Sequence, residues 1–116
     1  MADKKYVEFD LELAIERSGG GLERFKEMAD FFPRYSKDLW APIEKAQKEG
    51  DLELLKASVH KIKGSLGMVG ALKAYDVAVD LEKNVTVLSR SEIDAQVGLL
   101  KDQLNALLVE LDRFAM

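Results

Sequence analysis

The sequence predicts an all-α fold: an antiparallel up-down-up-down four-helix bundle with a short extra N-terminal helix. Three observations carry this. Four long stretches repeat apolar residues at alternating steps of three and four, the period of a buried helical stripe. Short breaks marked by glycine or serine separate them, and short connections imply antiparallel neighbours. No stretch sustains period-two alternation, so no sheet is expected. The stripes run near period 3.5, which suits the shallow crossing angles of such bundles. A coiled-coil dimer is the weaker alternative, because turns at Gly50 and from Gly67 to Gly70 favour folding back within one chain.

The elements follow in order. Asp10 is the expected N-cap of a short helix from Leu11 to Ser18, with Val7, Leu11, Ala14 and Ile15 as its apolar side. Gly19-Gly20-Gly21 stops it. That glycine run is no phosphate loop, since no strand precedes it and no Gly-Lys-Ser/Thr follows. The second helix, residues 21 to 49, carries Leu22, Phe25, Ala29, Phe32, Ser36, Leu39, Ile43 and Ala46 in one register. Pro33 and Pro42 fall inside that register without a slip, so one helix bent at a proline is expected. A second apolar line, Met28, Phe31 and Tyr35, is read as packing against the short helix, with partner docking as its functional alternative; Trp40 raises the same question. Gly50 ends this helix and Asp51 caps the next, residues 51 to 67, whose stripe is Leu52, Leu55, Val59, Ile62 and Leu66. The fourth starts near Ala71 with Ala74, Val77, Ala78, Leu81 and Val85, and fades at Val85-Thr86-Val87. Ser91 is the expected N-cap of the fifth, which carries Ile93, Val97, Leu100, Leu104, Leu107, Leu111 and Phe114.

At 116 residues the chain suits a single domain, 1–116, with a core of useful size. Without cysteine it has no disulfide, thiolate zinc site or cysteine nucleophile, which fits a cytoplasmic location. Met1 to Lys5 lead into no apolar segment, so no signal peptide is expected, and no apolar run approaches a membrane span. A net charge of −4 argues against nucleic-acid binding, which needs a basic face. The chain ends after Phe114-Ala115-Met116 without a linker, which favours a standalone protein or an excised domain.

The chemistry concentrates in the stretch from His60 to Gly70, which holds the only histidine. His60 lies one step, about 100°, past Val59, so it stands at the edge of the buried face and looks outward. Glu53, Lys56, Ala57, Lys63, Gly64 and Gly67 share its flank. Two glycines inside a helix cost roughly 2 kcal/mol against alanine, which calls for a reason. No second histidine, serine–histidine–carboxylate spacing or Glu-x-x-His pair supports a hydrolytic or metal site; metal ligands: none. A neutral imidazole is a good nucleophile near pH 7. If it accepts a phosphoryl group, Lys63 one turn on is placed to balance the added charge, and Gly64, Gly67 and small Ala57 leave bare ground for a partner. The chain offers no nucleotide pocket, so the donor has to be another protein.

His60-x-x-Lys63-Gly64-Ser65-x-x-x-x-Gly70 resembles the signature of histidine phosphotransfer (HPt) domains of two-component phosphorelays. The likeness extends to the Gly50-Asp51 turn, the amphipathic lead-in from Leu52 to Val59 and the long proline-bearing second helix. The resemblance implies that His60 accepts a phosphoryl group on Nε2 from a receiver-domain aspartyl phosphate and passes it to another receiver aspartate. It implies Lys63 as the charge-stabilising group, Gly64 as the access position, and Lys56, Ala57 and Gly67 as partner-facing. It further implies a monomer with no kinase activity and no cofactor of its own, the receiver supplying Mg²⁺. Response-regulator receivers are the implied partners, with a hybrid sensor histidine kinase as a further candidate. Two alternatives stay open at this point: the N-terminal phosphoacceptor module of a chemotaxis-type histidine kinase, and a helical adaptor in which His60 is incidental.

Overall fold

The computed structural model describes residues 6–115; Met1 to Lys5, read above as carrying no signal peptide, lie outside them, as does Met116. Five helices follow one another: α1 (Leu11–Ser18), α2 (Gly21–Glu49), α3 (Leu52–Met68), α4 (Leu72–Asn84) and α5 (Arg90–Ala115). Among the described residues there is no strand. Helices α2, α3, α4 and α5 each pack against the next, and α5 closes on α2, with α1 laid against α2 and α3. The result is a four-helix bundle 46 Å long and about 20 Å across. Its connections are only a few residues long.

The caps explain where the helices begin. Asp10 accepts the Leu13 amide at 3.0 Å and Asp51 accepts the Leu54 amide at 3.0 Å, both as their residue type requires at an N-cap. Helix α2 runs unbroken through Pro33 and Pro42, in keeping with the unslipped register. Its stripe is buried from Phe25 to Ala46, while Leu22 at its start is exposed. Helix α5 departs from expectation at its start. Its cap is Ser89, not Ser91: the Ser89 hydroxyl accepts the Glu92 amide at 3.2 Å, and the Glu92 carboxylate accepts the Ser89 amide at 2.8 Å. The pattern Ser-x-x-Glu that makes this reciprocal box begins only at Ser89. The Ser89 amide holds the Glu92 carboxyl below its usual range.

Trp40, left open between packing and docking, is buried, with the Lys101 ammonium 5.1 Å from its ring centre. The line Met28, Phe31 and Tyr35, expected against α1, instead lines a groove with Ser65, Met68 and Val69 at the end of α3.

The end of the bundle beyond the histidine is closed by the segment before α1. Phe9 is buried and its ring lies among Tyr6, Phe25 and Phe114, with centroids 4.6 to 6.2 Å away. Buried Glu110 of α5 accepts the Val7 and Glu8 amides at 3.0 and 2.8 Å. The Asp10 amide donates to the Gly70 carbonyl at 2.9 Å. Gly70 has φ +70°, and a Cβ there would meet the Asp10 carbonyl oxygen at 2.7 Å, so the corner after α3 requires glycine for both conformation and space.

Candidate functional site

The stripe Leu55, Val59, Ile62 and Leu66 anchors α3 in the core, and this fixes what the rest of α3 presents. His60, one step off the stripe, has a side chain 67% exposed. Its Nδ1 lies 2.8 Å from Glu82 Oε2 on α4. The other oxygen of the same carboxylate, Oε1, takes the Lys63 ammonium at 2.8 Å. Lys63 and Glu82 are half-buried, with side chains 22% and 18% exposed, so the exposed imidazole stands on a half-sunken ion pair.

The charges in this group reinforce one another. The hydrogen bond from Lys63, and then that with His60, hold the Glu82 carboxyl below its ordinary value of 4.5, against the opposing effect of burial. The hydrogen bond to Glu82 likewise holds Lys63 above 10.5. Glu82 is therefore ionised at neutral pH, and an ionised carboxylate only accepts hydrogen bonds. Nδ1 of a neutral His60 must then carry the proton and donate it, which leaves the lone pair on Nε2. The arrangement selects a tautomer: one nitrogen is fixed to the protein, and the other is a nucleophile turned to the open side.

The pair also sets a pH dependence. A carboxyl whose folded pKa is depressed adds stability that is present above its unfolded value and lost as pH falls through the folded one; a raised lysine adds stability lost only as pH rises through its own folded value. The pair therefore contributes from about pH 5 to pH 10 and fails first below 4.5 on the acid side. Glu82→Gln is expected to lower the urea midpoint at pH 7, and the gap from the unsubstituted protein is expected to close as pH falls below 4.5. A gap that stays constant from pH 7 to pH 3 would contradict the pairing.

The other site residues divide. Glu53, Lys56, Ala57, His60 and Glu82 line one shallow open depression. A Cβ built at Gly64 would meet nothing within 4 Å, so the ground one turn past His60 is bare. Gly67 does not belong to that ground. It is buried, a Cβ there would touch the Tyr75 ring at 3.4 Å, and its carbonyl accepts Arg17 Nη1 at 2.6 Å. It is a packing glycine that admits Tyr75 of α4 and Arg17 of α1, which corrects its reading as partner-facing. Lys63, expected to balance an incoming charge, is paired with Glu82.

Glu82 is the residue that the sequence reading missed. A signal for it existed. Glu82 sits one step past buried Leu81, as His60 sits one step past buried Val59, so both occupy the edge of their stripes. Among the described residues no group of three or more His, Asp or Glu side chains is placed to hold a metal ion. No helix there is long and apolar enough to cross a membrane.

The described residues thus form a helical bundle that presents an exposed histidine, a neighbouring lysine and a bare glycine. The family model described as Hpt domain matches residues 23–113, most of the chain, and the protein belongs to that family. Searches of curated proteins and of solved structures gave no match. Membership places the chain in histidine phosphotransfer of two-component signalling, where Hpt domains serve as phosphoryl carriers.

Proposed function

We propose that this protein is a phosphorelay intermediate in which His60 is the phosphoacceptor. The observation that carries the reading is the bond from His60 Nδ1 to Glu82, which leaves Nε2 as the free nucleophile on an exposed side chain. The Nε2 lone pair attacks the phosphorus of an aspartyl phosphate on a receiver domain. The N–P bond forms, the P–O bond to the acyl group breaks, and the aspartate carboxylate leaves. The ring gains positive charge at that moment, and Glu82 stabilises it through the Nδ1–H bond. Onward transfer runs the same steps backwards, to the aspartate of a second receiver.

Lys63 supplies the counter-charge for the phosphoryl oxygens. It starts 2.8 Å from Glu82, so the arriving group competes with that carboxylate for the ammonium. Gly64 gives the receiver its clearance, and Lys56 and Ala57 border its approach. The receiver brings Mg²⁺ and most of the catalytic groups; this chain has no kinase activity of its own. It works as a cytoplasmic monomer with response-regulator receivers, a hybrid sensor histidine kinase being the upstream source.

The test is incubation with a phosphorylated receiver domain and recovery of acid-labile, base-stable phosphate on the protein. Lys63→Ala is expected to slow transfer about tenfold or to shorten the phosphohistidine lifetime by a similar factor. The same rate and lifetime in both proteins would reduce Lys63 to a structural partner of Glu82.

A further inference from the structure

Glu82 is engaged twice in the resting site. Its Oε2 lies 2.8 Å from His60 Nδ1, and its Oε1 lies 2.8 Å from the Lys63 ammonium. The carboxylate is half-buried while the imidazole is exposed, so its field on the ring is screened less than that of a surface group. Glu53 and Lys56 of α3 border the same depression with opposite charges, and Tyr75 of α4 adds to the pull on Lys63. Glu82 is the group bonded to the ring.

A phosphoryl group on Nε2 is given up only as readily as the ring can leave. In onward transfer the carboxylate oxygen of the acceptor attacks phosphorus. The O–P bond forms, the N–P bond breaks, and its electron pair returns to Nε2. With a proton on Nδ1 the departing ring is a neutral imidazole. Without that proton it is an imidazolate anion, a far poorer leaving group. The Nδ1 proton therefore separates a phosphoryl donor from a phosphoryl store. Solvent competes for it once the ring carries the group. An ionised carboxylate at contact opposes the loss, because an opposite charge favours the charged form of the ring. The phosphoryl oxygens also draw Lys63 away from Oε1. The ring is then the carboxylate's remaining partner in the pair of bonds, so the hold on the proton tightens as the group arrives.

We infer that Glu82 is a positioning residue for the discharge half of the cycle, keeping the proton on Nδ1 of phosphorylated His60 so that the phosphoryl group stays ready to leave. This inference rests on the proposed phosphotransfer at His60 and goes beyond the tautomer of the resting ring. It makes the protein a carrier that still discharges as the medium turns alkaline, where a bare phosphohistidine becomes a store.

The test uses the full chain as the unsubstituted protein, Glu82→Gln, Lys63→Gln and the double variant, with helical content checked by circular dichroism. Each is phosphorylated with phosphoramidate, and its discharge is followed from pH 6 to pH 9, to water and to the fastest-reacting member of a panel of receiver domains. The rate for Glu82→Gln is divided by that of the unsubstituted protein at each pH, which cancels the receiver's own pH dependence. Expected is a ratio within about twofold of one at pH 6 that falls about tenfold by pH 9, for both acceptors. The same fall is expected when Glu82→Gln is placed in the Lys63→Gln protein. A ratio that stays flat from pH 6 to pH 9 would overturn the inference. So would a fall that vanishes in the Lys63→Gln background, because a freed lysine would then be its cause. Should Glu82→Gln fail to fold, the unsubstituted phosphoprotein decides alone. Its rate of loss to water, divided by that of free Nε2-phosphohistidine, is expected to rise about fivefold from pH 6 to pH 9, and a constant quotient would overturn the role of Glu82. If the unsubstituted protein takes no phosphoryl group from phosphoramidate and exchanges none with any receiver, the underlying reading fails and this role with it.

Discussion

Replacing His60 with glutamine is expected to abolish phosphate uptake from a phosphorylated receiver while leaving the fold unchanged. The side chain is 67% exposed and its hydrogen-bond partner is Glu82, which keeps its 2.8 Å ion pair with Lys63. Loss of the imidazole therefore opens no cavity and strands no buried charge. No second histidine exists to take over. The loss should be complete rather than partial, because a glutamine amide has no lone pair of comparable nucleophilicity. The measurement is acid-labile label on the variant beside a circular dichroism spectrum. Label that persists at more than a trace would move the acceptor elsewhere.

The second large effect concerns Gly64. A Cβ added there meets nothing within 4 Å, and the backbone at this position does not have the positive φ that would strain an L residue. Loss of glycine from a helix interior should raise stability by about 1 kcal/mol. Transfer should nevertheless slow about 100-fold, since a misplacement of the reacting atoms by about 1 Å is enough for that factor. Stability and activity thus move in opposite directions. A leucine variant that is more stable and transfers at the normal rate would show that the receiver does not approach across Gly64. Gly67 provides the contrast. Its missing side chain is filled by Tyr75 and Arg17, so bulk there disturbs the α3–α4 packing instead of the approach.

Much of this was legible in the sequence, for identifiable reasons. The helices were readable because each keeps one apolar register over many turns, long enough to show that Pro33 and Pro42 do not break α2. His60, Lys63 and Gly64 were readable because a site built within two turns of one helix appears as a spacing. Glu82 was not, because its partner His60 is 22 positions away on another helix, and single-helix periodicity does not give the facing register. The end closure by Phe9 and Glu110 was hidden for the same reason, since the segment before α1 has no period to read. Two serines with only Arg90 between them led the sequence reading to Ser91, whereas the reciprocal bond of Glu92 makes Ser89 the α5 cap. The apolar line Met28, Phe31 and Tyr35 was visible as a line, but the choice between α1 and an open groove depended on where α3 ends.

The central claim is that Glu82 fixes His60 with its proton on Nδ1, so that Nε2 receives the phosphoryl group. Long-range ¹H–¹⁵N spectra of protein labelled with ¹⁵N-histidine test this directly, before and after transfer from a phosphorylated receiver. The expected result is a resting ring that carries its proton on Nδ1, then a phosphoryl group on Nε2, with the Nδ1–H preference weakened in Glu82→Gln. A resting ring protonated at Nε2, or a phosphoryl group found on Nδ1, would contradict it.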